Sequence, residues 1–301
     1  MEIGMVGLGK MGSNMALRLL RGGHEVTIYD PRPDAVKALI KPGATGTASL
    51  AELVENLTRP KAIWMMVPSG QATEDTVSNL SRLLAAEDVI IDGGNSRYTD
   101  SIRRATSLKE KGILFLDAGV SGGVWGLEGG YSLMIGGDET AYRRLEPALK
   151  TLAPTADTGL GLVGPSGAGH FAKMVHNGIE YGLMEAYAEG FELMQAKKEL
   201  GLDLTQVAEI WRHGSVVRSW LLDLAAAALK EDPGLTRIQP YVEDTGEGRW
   251  TVEEAIELAV PLPVITQAVQ ARFRSRQAKP FAARLLAALR QQFGGHSVKK
   301  E

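Results

Sequence analysis

The sequence predicts an α/β domain built on a parallel sheet, followed by an all-α domain. Three observations carry this. Short apolar runs alternate with amphipathic stretches through the first half; the first run ends in a glycine-rich turn; and near residue 164 the strand pattern stops and Ala-, Leu-, Glu- and Arg-rich segments of helical periodicity take over. Apolar runs at 3–6, 25–29, 62–67, 89–92, 114–118 and 132–136 read as strands, and the stretches 11–21, 51–57, 73–84 and 100–111 between them read as helices. Such alternation implies βαβ units, with helices on both faces of the sheet. Residues 168–200, 203–230 and 251–292 read as helical. The segment 161–169, with four glycines and a proline, reads as the hinge, so the domains are expected at 1–164 and 165–301.

Composition narrows the function classes. The 301 residues carry a formal net charge of −3, are 23% charged and 44% apolar, and contain no cysteine. Thiol catalysis, thiolate metal sites and disulfides are therefore excluded, and no metal site is expected. No run of Lys/Arg exceeds a pair, Lys299-Lys300 at the end included, which is too short to be the footprint of a nucleic-acid or membrane-surface protein, so neither partner is expected. No apolar stretch approaches the ~20 residues that span a bilayer. The start of the chain shows no secretory pattern, and a cytoplasmic location is the expectation.

The first turn, Gly7-Leu8-Gly9-Lys10-Met11-Gly12, matches G-x-G-x-x-G. Alone the pattern is weak, but here it follows a strand, opens a helix, and precedes a second strand that ends at Asp30. That is the Rossmann-type dinucleotide fingerprint. Gly7 makes the tight turn, Gly9 lets the backbone approach a pyrophosphate at the helix N-terminus, and Gly12 lets helix and strand pack closely. Asp30 suits the ribose hydroxyls of NAD and repels the 2′-phosphate of NADP, whereas Arg32 could reach a 2′-phosphate; NAD is favoured, with NADP possible. Two loops follow later strands at the sheet edge where ligands bind, and both Val67-Pro68-Ser69 and the loop holding Asn95 are candidates to touch cofactor or substrate. In Ser121-Gly122-Gly123, backbone N–H groups and a hydroxyl suit an anion such as a carboxylate, although the same residues also describe a flexible turn.

The segment 167–181, GAGHFAKMVHNGIEY, places Lys173, His176, Asn177 and Glu180 at i, i+3, i+4 and i+7, on one helix face. A solvated face shows alternating charges and a core face shows leucines; this one shows neither. A lysine titrates near 10.4, so service as a base at neutral pH requires burial. Glu180, two turns along, could pass a proton to another atom of the same substrate. An i, i+7 pair of surface charges is the plain alternative.

Together, GLGKMG, IDGGNS at 91–96, VSGG at 120–123 and GAGHFAKMVHNGIEYG at 167–182 resemble the 6-phosphogluconate dehydrogenases, and the length resembles their short, bacterial-type form. The resemblance implies oxidative decarboxylation of 6-phosphogluconate to ribulose 5-phosphate and CO2, with Lys173 as base at the C3 hydroxyl and Glu180 as acid at C1. It implies cofactor contacts from Val67, Pro68 and Ser69, although the long form has a lysine where Pro68 stands. It implies substrate contacts from Asn95, Ser121, Gly122, Gly123, His176, Asn177 and Tyr181, and phosphate contact from Arg272. Arg290 and His296 match an arginine and a histidine that reach the site from a partner subunit, which implies a homodimer or higher homo-oligomer. The chain also departs from the pattern. Glu247 replaces a threonine and Thr245 a lysine near the phosphate site, and Val124-Trp125 follow VSGG where acidic residues are usual. An acid beside a phosphate is unfavourable, so Glu247 points away, or other cations hold the phosphate, or the substrate differs. A β-hydroxyacid dehydrogenase acting on a small unphosphorylated substrate is the alternative enzyme; a nucleotide-sensing regulator, which needs neither Lys173 nor Glu180, is the non-enzymatic alternative.

Overall fold

The computed structural model describes residues 1–295 and 297–299. Two compact units divide the chain, Met1–His176 and Asn177–Glu301. In the first, the elements follow in the order β1 (Glu2–Val6), α1 (Lys10–Arg21), β2 (Glu25–Tyr29), α2 (Pro33–Ile40), β3 (Thr45–Gly46), α3 (Leu50–Glu55), β4 (Ala62–Met65), α4 (Gln71–Leu83), β5 (Val89–Asp92), α5 (Tyr98–Lys109), β6 (Leu114–Ser121), α6 (Gly126–Gly129), β7 (Ser132–Gly137), α7 (Glu139–Leu152) and β8 (Leu160–Gly164). They build one eight-stranded sheet, ordered β3-β2-β1-β4-β5-β6-β7-β8.

Side-chain alternation along the central strands explains the two helical layers. Ile3, Met5, Trp64, Val89 and Ile91 join one core with Met15 and Leu19 of α1, Val36 of α2 and Leu145 and Leu149 of α7. Val6, Ile63, Met65 and Ile90 join a second core with Leu53, Val77, Leu80 and Leu108 of α3, α4 and α5. A strand buried on both faces reads as a continuous apolar run, as these do.

Two expectations need correction. The sheet is not wholly parallel: β7 runs antiparallel to β6, with Ala118 opposite Ile135. Periodicity reports burial, not strand direction, so the sequence could not distinguish this. The glycine-rich hinge is also partly strand, because Leu160–Gly164 pairs in parallel with β7.

The helix α8 (Ala168–Ala196) runs through the boundary between the units. The second unit continues with α9 (Leu204–Trp211), α10 (Trp220–Glu231), α11 (Glu247–Glu257), α12 (Pro263–Ser275) and α13 (Phe281–Gly294). The expected helical tracts 203–230 and 251–292 are thus each broken, the first where Ser219 caps α10 and the second where Pro263 opens α12. This unit's buried apolar clusters are small: Tyr181, Ala268 and Val269 in one, Ala208, Ala226 and Leu229 in the other. Phe281, Leu285, Leu286 and Leu289 of α13 are exposed. Among the described residues no helix is long and apolar enough to cross a membrane.

Candidate active site

The glycine turn is shaped by contacts that leave no room for side chains. Gly7 has φ +90°, and a Cβ there would lie 2.5 Å from the Met66 carbonyl oxygen; a Cβ on Gly12 would lie 2.0 Å from the Gly7 carbonyl oxygen. Gly9, by contrast, faces open space, and it caps α1 with no side-chain hydrogen bond to the first-turn N–H groups. Those N–H groups and the helix dipole suit a pyrophosphate. Lys10 and Met11 open the helix beneath it.

Asp30 is buried and both of its oxygens are engaged. Oδ2 accepts from the Leu8 N–H at 2.7 Å, and Oδ1 accepts from the Arg32 N–H and Nε, each at 2.9 Å. Burial alone raises the carboxyl pKa, but the hydrogen bonds and charge of Arg32, with the Leu8 N–H, outweigh it and hold Asp30 below the usual carboxylate range. Arg32 also donates to the Leu8 carbonyl at 3.2 Å, so it folds back over the turn.

Two loops lie beyond β4 and β5. Val67 is half-buried, and Pro68 and Ser69 are exposed. Beyond β5, the buried Asp92 accepts from the Gly94 N–H at 3.1 Å, the Ser96 hydroxyl at 2.7 Å and Arg104 Nη1 at 3.1 Å. That clamp ties down both sides of Asn95 and leaves its side chain exposed.

The start of α8 is set by a residue outside every motif named above. Asp117, in the middle of β6 and fully buried, accepts from the Gly167 N–H at 2.6 Å and the His170 N–H at 2.8 Å. It therefore caps the helix N-terminus across the fold. Gly119 of the same strand lies so close to α8 that a Cβ would fall 2.6 Å from both the Gly169 carbonyl oxygen and Lys173 Cβ. The signal was an aspartate inside an apolar strand, which is costly unless partnered.

With α8 so held, Lys173 is buried and its Nζ lies 3.4 Å from His176 Nδ1, while His176 Nε2 lies 3.3 Å from Ser121 Oγ. Three side chains from 121–176 thus form one polar line beside Gly122 and Gly123. With an ammonium at Lys173, Nδ1 accepts and the Nε2–H donates to Ser121. Asn177 is buried and Glu180 half-buried on the same helical face.

The remaining predicted residues belong to the second unit. The Arg272 guanidinium stacks 3.6 Å above the Tyr181 ring and donates to the Glu243 carbonyl at 2.8 Å. Tyr181 Oη accepts from the Thr245 N–H at 3.4 Å. Glu247 is buried at the first position of α11, where the dipole favours an acid, and it receives the Thr245 hydroxyl. Arg290 is exposed on α13; His296 lies outside the described residues. Among the described residues no group of three or more His, Asp or Glu is placed to hold a metal ion.

Two family models match the chain, one after the other. Residues 2–164 match the NAD binding domain of 6-phosphogluconate dehydrogenase, and residues 169–297 match that enzyme's C-terminal domain. The chain belongs to the 6-phosphogluconate dehydrogenase family. The NAD(+)-dependent, decarboxylating 6-phosphogluconate dehydrogenase of Haloferax volcanii is 44% identical over 302 residues, covering 100% of this chain and 99% of that one. The family also has longer members: the NADP(+)-dependent decarboxylating enzyme of Bacillus subtilis is 36% identical, and the match covers 91% of this chain but 61% of the relative. The solved 6-phosphogluconate dehydrogenase of Plasmodium falciparum, studied with NADP+ and with 6-phosphogluconate, superposes with a TM-score of 0.85 at 30% identity, over 100% of this chain and 66% of its own.

Proposed function

We propose that this chain oxidatively decarboxylates 6-phosphogluconate to ribulose 5-phosphate and CO2, with NAD as the preferred cofactor. The observation that carries the chemistry is the buried Lys173 in line with His176 and Ser121. The nicotinamide cofactor supplies the acceptor for the hydride that leaves C3. Lys173, as the free amine, takes the proton of the C3 hydroxyl. The resulting 3-keto acid carries its carboxylate β to the carbonyl, so loss of CO2 places electrons on the ketone oxygen. The ammonium of Lys173 then stabilises that enolate oxygen. Glu180 protonates the carbon that lost CO2, the substrate's C2 and the product's C1, to give the ketose. Ser121, the N–H groups of Gly122 and Gly123, and Asn95 hold the carboxylate end; His176, Asn177 and Tyr181 hold hydroxyls; Arg272 holds the phosphate.

The turn at Gly7–Gly12 fits a dinucleotide, because Gly9 is open where Gly7 and Gly12 are closed. The buried, ionised Asp30 beside it supports NAD over NADP, since a 2′-phosphate would bring a second negative charge to that carboxylate. The exposed apolar stripe on α13, at Phe281, Leu285, Leu286 and Leu289, supports a homo-oligomer in which Arg290 of that helix, with His296, completes a neighbouring site. A strictly monomeric species with full activity would remove that part of the reading. Initial rates with 6-phosphogluconate and with 3-hydroxyisobutyrate, each with NAD and NADP, test the substrate and the cofactor together. Turnover of 6-phosphogluconate with NAD is expected, and Lys173→Ala is expected to lose at least about a thousandfold in kcat while still binding NADH. Turnover of the unphosphorylated acid alone would replace this reading with the simpler dehydrogenase.

A further inference from the structure

The loop that follows Ser121 is held by α1, the helix that the Gly7–Gly12 turn opens. Asn14, Arg18 and Arg21 share one face of α1, at i, i+4 and i+7. Asn14 Nδ2 donates to the Val124 carbonyl at 3.2 Å. Arg18 donates from Nη1 to the Leu127 and Glu128 carbonyls at 3.1 and 3.2 Å, from Nε to the Thr151 carbonyl at 2.8 Å, and from Nη2 to the Ala153 carbonyl at 2.7 Å. Thr151 and Ala153 lie at the C-terminal end of α7, whose last carbonyls lack helical partners and favour a cation. Arg21 adds only an exposed ion pair with Glu128.

From its other side the loop rests on Tyr131, which is fully buried; a Cβ on Gly126 would come within 2.0 Å of that ring. The segment 122–130 is therefore fixed between an aromatic floor and one guanidinium. All four acceptors of Arg18 are backbone carbonyls, so the side chain fixes the path of the chain itself. A lysine keeps the charge but cannot span acceptors on two segments, because only the guanidinium is a planar fork.

We propose that Arg18, assisted by Asn14, is a positioning residue for the reaction: it holds the loop that presents Ser121, Gly122 and Gly123 to the substrate carboxylate and ties that loop to the dinucleotide helix. This rests on the proposed function. Lys173 is placed separately, through Asp117 and Gly119, and the glycine turn through the Leu8 N–H to Asp30 and the Gly7 N–H to the Tyr29 carbonyl. Loosening the loop therefore weakens substrate binding and leaves the chemistry and the cofactor site in place.

The test compares wild type with Arg18→Lys and the milder Asn14→Ala by steady-state kinetics with 6-phosphogluconate, and by amide hydrogen exchange of the free proteins. In Arg18→Lys the KM for 6-phosphogluconate is expected to rise about tenfold, the size of one lost charge-assisted hydrogen bond. The KM for the dinucleotide and kcat should stay within about a factor of three, and amides 122–130 should exchange faster while β1, β4 and β5 keep their protection. Asn14→Ala should show the same pattern more weakly. Unchanged exchange across 122–130, a dinucleotide KM that rises in step with the substrate KM, or faster exchange with no change in substrate KM would each overturn the proposal. Absence of wild-type turnover with 6-phosphogluconate would instead sink the functional reading; exchange would still decide whether Arg18 holds the loop.

Discussion

At the scale of single residues, burial and partners decide what each charge can do. Asp30 is ionised because Arg32 and two backbone N–H groups outweigh the cost of burying it. Its folded pKa is lowered, so the stability it contributes is fully present above the unfolded value of about 3.9 and is lost as pH falls through the folded value. Asp30→Asn should therefore narrow the gap in urea midpoint between wild type and variant as pH drops below about 4; a gap constant from pH 7 to pH 3 would contradict this. The glycine turn, Asp30 and the Lys173–Glu180 face were legible in the sequence because their spacing alone sets their geometry. Asp117 was not: an aspartate in an apolar strand signals only that it has a partner, and the N–H groups that donate to it lie 50 and 53 residues away. Glu247 is similar: the family resemblance implied an acid near the expected phosphate contact without its orientation, and the structure turns it onto Thr245 at the start of α11.

At the scale of elements, the close approach of β6 and α8 fixes where Lys173 stands. Asp117→Ala would leave the Gly167 and His170 N–H groups buried and unpaired, at a cost of about 1–3 kcal/mol, and should lower kcat as well, since Lys173 is carried on the freed helix. Asp117→Asn should fall between, because an amide offers one oxygen rather than two. Chemical denaturation read beside kcat checks both; an Ala variant with wild-type stability and rate would show that the cap is idle. Strands with continuous apolar runs were readable from the sequence. Thr45–Gly46 is too short to leave a pattern, and Leu160–Gly164 is disguised by two glycines in five residues. The antiparallel direction of β7 has no sequence signature, since its alternation is the same either way.

At the scale of the whole molecule, the two family domains were readable because their compositions differ: strand-and-glycine alternation in one, helical periodicity in the other. The helical half buries little of its own apolar surface, with Val216, Leu193, Ile256 and Phe281 each largely exposed. No single-chain pattern tells such a surface from a badly packed core, so what covers it could not be read from residues alone. In the proposed reaction, hydride removal at C3 and loss of the C1 carboxylate occur together, served by Lys173 and Glu180 of one helix. The most direct test follows NADH formation and labelled CO2 together, using 6-phosphogluconate labelled in its carboxyl carbon. Equimolar NADH and labelled CO2 are expected, with both lost in Lys173→Ala. NADH formed without labelled CO2 would contradict the account.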